Sequence, residues 1–133
     1  MRSKSSNMQL KKYQQRTIDR LEEFLQELRQ HGAKRAFMYI TEKPYQSDAF
    51  GDVPFLCIKI PTGGGKTLVG CEAVGKIMSI ALQDKLDRGI VLWFTPSEAI
   101  KTQTLKKLKD RKDWHRRTLD EAFDNNVKVF SNE

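Results

Sequence analysis

A short segment of this chain combines the residue types that bind phosphate groups. Residues 61–67 read PTGGGKT, so three consecutive glycines precede a lysine and a threonine. Glycines let the backbone curl toward an anion because they carry no Cβ atom to block its approach. Lys66 would meet the β- and γ-phosphates of a nucleotide, and the Thr67 hydroxyl would ligate Mg²⁺. The candidate nucleotide ligands of this loop are Thr62, Gly63, Gly64, Gly65, Lys66 and Thr67.

The loop departs at one position from the common Walker A pattern, GxxxxGK[ST]. That pattern expects glycine at position 60, where this chain has Ile60. The alternative interpretation is a glycine-rich turn that happens to be followed by Lys-Thr. An apolar strand pattern before the loop and a helical pattern after it favour the phosphate-binding interpretation, because both elements are needed to position such a loop.

The elements around the loop predict an α/β fold with a parallel sheet. Residues 55–60 are apolar almost throughout, which is typical of a buried parallel strand. A helix is predicted from Thr67 to about residue 86, a second buried strand over 90–96, and the start of a third over 127–130. The order of strand, loop, helix, strand and helix, with long connections, permits parallel pairing.

Three further helices are predicted. Apolar residues recur at helical spacing upstream of Gly32, which is expected to cap that helix in a left-handed conformation. Residues 33–54 are predicted to form an irregular insertion rich in turn-forming residues, with a short helical turn or strand as an alternative for Phe37 to Ile40. Ser97 is the predicted N-cap of a helix that ends near Lys109, and residues 114–123 form another short helix.

Bulk properties limit the cellular context. The 133 residues contain no apolar run of the roughly 20 residues that cross a bilayer, and the basic start has no apolar core of a secretory signal. We therefore expect a cytoplasmic protein with no membrane partner. Cys57 and Cys71 are the only cysteines, and both are predicted to be reduced and buried.

The basic residues are concentrated. The net charge is +7, and one short segment holds Lys101, Lys106, Lys107, Lys109, Arg111, Lys112, Arg116 and Arg117. This cluster is either a solvated helix face or a surface that contacts the phosphate backbone of a nucleic acid. Composition alone leaves both interpretations open.

Three segments resemble superfamily 2 helicases. PTGGGKT resembles their motif I, which often lacks the first glycine. LKKYQQRTIDRL, from Leu10 to Leu21, resembles the upstream segment in which tyrosine and glutamine precede a helix. That resemblance implies that Gln14 reads the adenine edge and that Tyr13 packs near the base. VLWFTPSEAIKTQTLKKLKD, from Val91 to Asp110, resembles motif Ia, which implies nucleic-acid backbone contacts for Thr95, Pro96, Ser97, Lys101, Gln103 and Lys106.

Together these segments are most similar to the Res subunit of type III restriction enzymes and its DEAD/DEAH-like relatives. The resemblance implies a P-loop NTPase, part of a RecA-like helicase domain 1, that uses ATP and Mg²⁺ to act on DNA. A modification methyltransferase subunit is a further candidate partner. An unrelated P-loop kinase or small ATPase explains neither the tyrosine-glutamine helix nor the motif Ia segment.

The acidic DExH box of that family does not occur in this sequence. Residues 1–133 are therefore expected to be the N-terminal part of a helicase ATP-binding domain, without turnover on their own. The alternative is a fragment that binds nucleotide or nucleic acid and does not hydrolyse.

Overall fold

The computed structural model describes residues 9–46, 51, 53–83 and 89–132. We label four α-helices in chain order and one π-helical turn that continues the second. They are α1 (Lys12–Thr41), α2 (Lys66–Lys76), the π-turn (Ile77–Ala81), α3 (Glu98–Lys109) and α4 (Trp114–Ala122). None of these helices is long and apolar enough to cross a bilayer.

The predicted α/β fold with a parallel sheet is wrong for the residues that the structure describes, because none of them lies in a strand. The segments 55–60, 90–96 and 127–130 are irregular, and Ile90, Phe94 and Phe130 are more than 80% exposed. A strand forms only where a second segment meets its backbone N–H and C=O groups. The apolar runs indicate a tendency toward burial, but they do not supply that second segment.

Gly32 interrupts α1, but the helix resumes after it. Gly32, with φ 82° and ψ 169°, is the only residue within Lys12–Thr41 whose backbone angles are not helical. Its position as a break was predicted. The irregular chain predicted from residue 33 is wrong as far as Thr41, where a helical turn had been an alternative for Phe37 to Ile40 alone. That stretch is helical because Ala36 is fully buried in a cluster with Leu21 and Phe24, which Phe37 and Ile40 also contact. Within the predicted insertion, residues 42–46, 51, 53 and 54 do lie outside helices.

Helix α2 packs between α1 and α4. On one side Lys76 forms a 3.0 Å ion pair with Glu22 of α1. On the other side a Cβ atom at Gly75 would lie 3.2 Å from the Ala122 Cβ, so glycine allows α2 to approach α4 closely. The helix predicted to run to about residue 86 is observed to Ala81, and residues 84–86 lie outside the described part of the chain.

The two cysteines differ in environment. Cys71 is fully buried beside Leu108 and Leu119, and burial, with the charges of Glu72 and Asp113, raises the pKa of its thiol to about 12. Cys57 is exposed, so the prediction that both are buried is wrong for this residue. It lies in the segment 55–60. That segment was expected to be buried as a strand of a sheet, and the described residues form no such sheet. Both thiols are free.

Candidate nucleotide-binding site

The glycine loop is a tight turn that leads directly into α2. The Gly64 N–H donates to the Pro61 carbonyl oxygen at 2.9 Å. Gly63 and Gly65 have φ values of 76° and 75°, in the left-handed region that side chains with a Cβ atom rarely adopt. The consecutive glycines therefore allow two left-handed backbone conformations immediately before the helix.

The first turn of α2 offers its backbone N–H groups to an external acceptor. Its N-cap is Gly65, which has no side chain to accept from the helix, and the Val69 N–H is the one that reaches the Gly65 carbonyl. The N–H groups before Val69 have no acceptor within an α-helix, and they form its positive end. Lys66 is exposed and Thr67 is half-buried at this end. These residues fit a triphosphate, and the Thr67 hydroxyl oxygen is a ligand type that Mg²⁺ accepts.

The tyrosine and glutamine at the start of α1 contact the loop. The Tyr13 hydroxyl donates to the Gly64 carbonyl oxygen at 2.8 Å, and Gln14 Nε2 donates to the same oxygen at 2.9 Å. Gln14 Oε1 accepts from the Lys11 N–H at 2.9 Å. The structure therefore joins two segments of the predicted nucleotide site that lie about 50 residues apart in the sequence. The adenine-reading role of Gln14 stays a prediction.

Close packing explains why the loop needs glycine at two positions. A Cβ atom at Gly64 would lie 2.5 Å from Ile60 Cγ2 and 2.7 Å from the Pro61 carbonyl oxygen. A Cβ atom at Gly65 would overlap Gln14 Nε2. Ile60, which occupies the position where the common pattern has glycine, is half-buried and packs against Gly64. The chain therefore accommodates isoleucine in place of glycine at position 60, with the Ile60 side chain packed against the turn at Gly64.

The candidate nucleic-acid residues lie on α3 and in the segment before it. Ser97 accepts from the Ile100 N–H at 3.3 Å, which confirms it as the N-cap of α3. Thr95 is half-buried and Pro96 is exposed. Lys101 is half-buried and pairs with Glu98 at 3.8 Å. On the outer face of α3, Gln103 and Lys106 are exposed one turn apart.

One member of the basic cluster is a structural residue. Arg116 is 5% exposed, so the phosphate-contact interpretation is wrong for it. Its Nε pairs with Asp120 at 2.9 Å, and Nη1 and Nη2 donate to the carbonyl oxygens of Leu108 and Val127, each at 2.8 Å. Arg117 instead lies over the Trp114 ring, 5.0 Å from its centroid. We call Arg116 and its three acceptors the Arg116 clamp. In the sequence, it is indicated only by an Arg-Asp pair at i, i+4 on α4, which is hard to recognise among the neighbouring basic residues.

The family model of the type III restriction enzyme res subunit matches residues 7–132. The chain belongs to this family. Comparisons with curated proteins and with solved structures give no match. The resemblance inferred from PTGGGKT and its flanking segments is thus confirmed by a match that covers α1, the glycine loop and α3 alike.

Membership in the res-subunit family indicates a broad class of activity. The family consists of helicase-like, ATP-dependent nucleic-acid motors, which are hydrolases that generally use ATP and Mg²⁺ and act on DNA. The prediction that the chain belongs to a family of helicase-like, nucleotide-binding proteins is confirmed.

Proposed function

We propose that this chain is the ATP-binding part of an ATP-dependent DNA helicase or translocase of the res-subunit type. The observation that carries the proposal is the junction at Gly64. There the Tyr13-Gln14 segment meets the glycine loop, at the start of a helix with no capping side chain. Family membership supports ATP, rather than another phosphate compound, as the ligand.

Each part of the loop has a role that follows from its chemistry. Lys66 supplies a mobile cation at the positive end of α2, where the charge of a triphosphate is best neutralised. The Thr67 hydroxyl supplies an oxygen ligand to Mg²⁺. The Gly65 N–H faces the phosphates, as do the N–H groups in the first turn of α2, whereas the Gly64 N–H is already bonded to the Pro61 carbonyl oxygen. When bound, ATP supplies the phosphoanhydride bond whose cleavage powers motors of this family.

A competition titration tests the nucleotide assignment. A fluorescent ATP analogue should bind saturably in the presence of Mg²⁺ and more weakly when the metal is chelated. ATP and inorganic triphosphate should both displace it, because the site contacts phosphates, and adenosine should displace it poorly. Displacement by adenosine with no effect of triphosphate would contradict a phosphate-binding loop.

We also propose that the exposed face of α3 contacts the DNA backbone. Gln103 and Lys106 are exposed on this helix, and Lys109, Arg111 and Lys112 continue the positive charge at its C-terminal end. Contacts of this kind carry no sequence information, because phosphates are the same at every base pair. The proposal therefore concerns affinity and not recognition of a site.

Neutralising Lys106 and Lys109 together, both to Gln, should weaken DNA binding equally for unrelated sequences, since both lysines are exposed. Each lost phosphate contact reduces the slope of log K against log salt by about 0.9, so the double variant should lower it by roughly 2. Fluorescence anisotropy at several salt concentrations measures both effects. The matched control is Lys34→Gln with Lys43→Gln, which removes the same charge from exposed lysines outside α3. Equal losses in the two double variants would indicate a net-charge effect and reject the α3 surface.

A further inference from the structure

The carbonyl oxygen of Gly64 accepts two side-chain hydrogen bonds from α1. A carbonyl oxygen has two lone pairs, and here the Tyr13 hydroxyl and Gln14 Nε2 occupy both, at 2.8 and 2.9 Å. Gly64 is buried, so these donors replace water as partners of this oxygen. The direction of the Gly64 carbonyl is therefore set by two residues of a different helix.

Fixing this carbonyl also fixes the neighbouring N–H. The peptide bond between Gly64 and Gly65 is planar and trans, so its C=O and N–H point in opposite directions. Because the Gly64 carbonyl points toward Tyr13 and Gln14, the Gly65 N–H points away from α1. Because glycine has few forbidden backbone angles, the two flanking glycines would let this peptide plane rotate to other orientations at little cost in free energy. The two side chains remove that freedom.

Gln14 is committed to protein groups on both sides of its amide. Its oxygen accepts from the Lys11 N–H, its nitrogen donates to Gly64, and the residue is 5% exposed. Its Nε2 also lies so close to Gly65 that a Cβ atom there would overlap it. These contacts pack Gln14 against the phosphate loop. Little of its surface is left exposed for contact with a nucleotide base.

We infer that Tyr13 and Gln14 are positioning residues for the phosphate loop. They orient the Gly64–Gly65 peptide so that the Gly65 N–H faces the bound triphosphate, and they do so for any base. The inference rests on the proposed function, since it assumes that the loop binds triphosphate. It predicts that both side chains affect affinity for the phosphate end of the ligand and leave base preference unchanged.

Competition titrations with ATP, GTP and inorganic triphosphate test this inference on Tyr13→Phe and Gln14→Leu. Tyr13→Phe removes one donor and keeps the ring, so affinity for all three ligands should fall by a common factor of about 3 to 10, the net worth of one hydrogen bond. Gln14→Leu should lower all three by at least as much. The ratio of ATP to GTP affinity should stay that of the unaltered chain. Gln15→Leu is the matched control, because Gln15 is exposed on α1 and bonds to Asp19 instead.

The outcomes separate the inference from the proposed function. If Gln14→Leu changes the ATP to GTP ratio while triphosphate affinity is unaffected, Gln14 reads the base and the inference is overturned. Unchanged affinities in Tyr13→Phe and Gln14→Leu, with normal binding by the unaltered chain, would overturn the inference alone. Failure of triphosphate to compete with the probe on the unaltered chain would overturn the proposed function as well. Unfolding midpoints of the variants show whether any common loss reflects folding rather than loop orientation.

Discussion

Lys66→Ala should weaken binding of ATP–Mg²⁺ by roughly 100-fold, because removing one partner of a close charge pair in a binding site costs several kcal/mol. Lys66 is the first residue of α2, where its charge adds to the positive end of the helix. Its side chain is exposed in the chain itself, so the substitution should change ligand binding and leave the free energy of unfolding nearly unaltered. The same fluorescent titration that tests nucleotide binding measures this effect.

Two further variants make the Lys66 result specific. Lys59 is exposed in the segment before the loop, and Lys59→Ala removes the same charge without touching the loop. It should bind ATP nearly as well as the unaltered chain. Lys66→Arg keeps the charge but replaces a compact ammonium by a planar guanidinium, so intermediate affinity is expected. Unchanged ATP binding in Lys66→Ala would reject the loop as the nucleotide site.

Local sequence signals predicted the helices well because a helix is stabilised by residues close in sequence. Ser97 was predicted as an N-cap from its side chain and position, and its hydroxyl does accept from Ile100. The fourth helix ends at Ala122, one residue before the predicted end. The continuation of α1 beyond Gly32 was missed because a glycine with positive φ ends many helices. Burial of Ala36 favours helix there, and burial depends on contacts that spacing within one segment does not reveal.

Strands and the candidate site depend on contacts between residues far apart in sequence. Local sequence patterns therefore predicted them less well than they predicted the helices. Residues 90–96 have the composition of a buried strand, yet Ile90 and Phe94 are mostly exposed because nothing pairs with them among the described residues. Contact between Gln14 and Gly64 joins positions 50 apart, which periodicity cannot indicate. Those residues were placed in one site by resemblance to a family, and the hydrogen bonds now give that grouping a physical basis. The Mg²⁺ role of Thr67 stays a prediction.

Arg116→Met should destabilise the fold by about 3 to 5 kcal/mol, because it leaves the carboxylate of Asp120 buried without its cation. Asp120 is 7% exposed, and Arg116 is the cation bonded to it at 2.9 Å. The substitution also removes the donors to Leu108 and Val127 carbonyls, which lie at the end of α3 and after α4. Such a loss is a large share of the roughly 5 to 15 kcal/mol that stabilises a typical domain. Urea unfolding followed by circular dichroism measures it.

Controls separate the buried charge from the clamp as a whole. Arg117→Met removes a neighbouring cation whose partner is the Trp114 ring, and about 1 kcal/mol or less is expected. Arg116→Lys keeps the charge but cannot serve three acceptors in the fixed fork of a guanidinium, so it should be intermediate. Adding Asp120→Leu to Arg116→Met should recover part of the loss, because the uncompensated carboxylate is then gone. Equal destabilisation by Arg116→Met and Arg117→Met would contradict the clamp. Since α4 packs against α2, which begins at the glycine loop, Arg116→Met should also lower the apparent affinity for ATP to the extent that it leaves part of the chain unfolded.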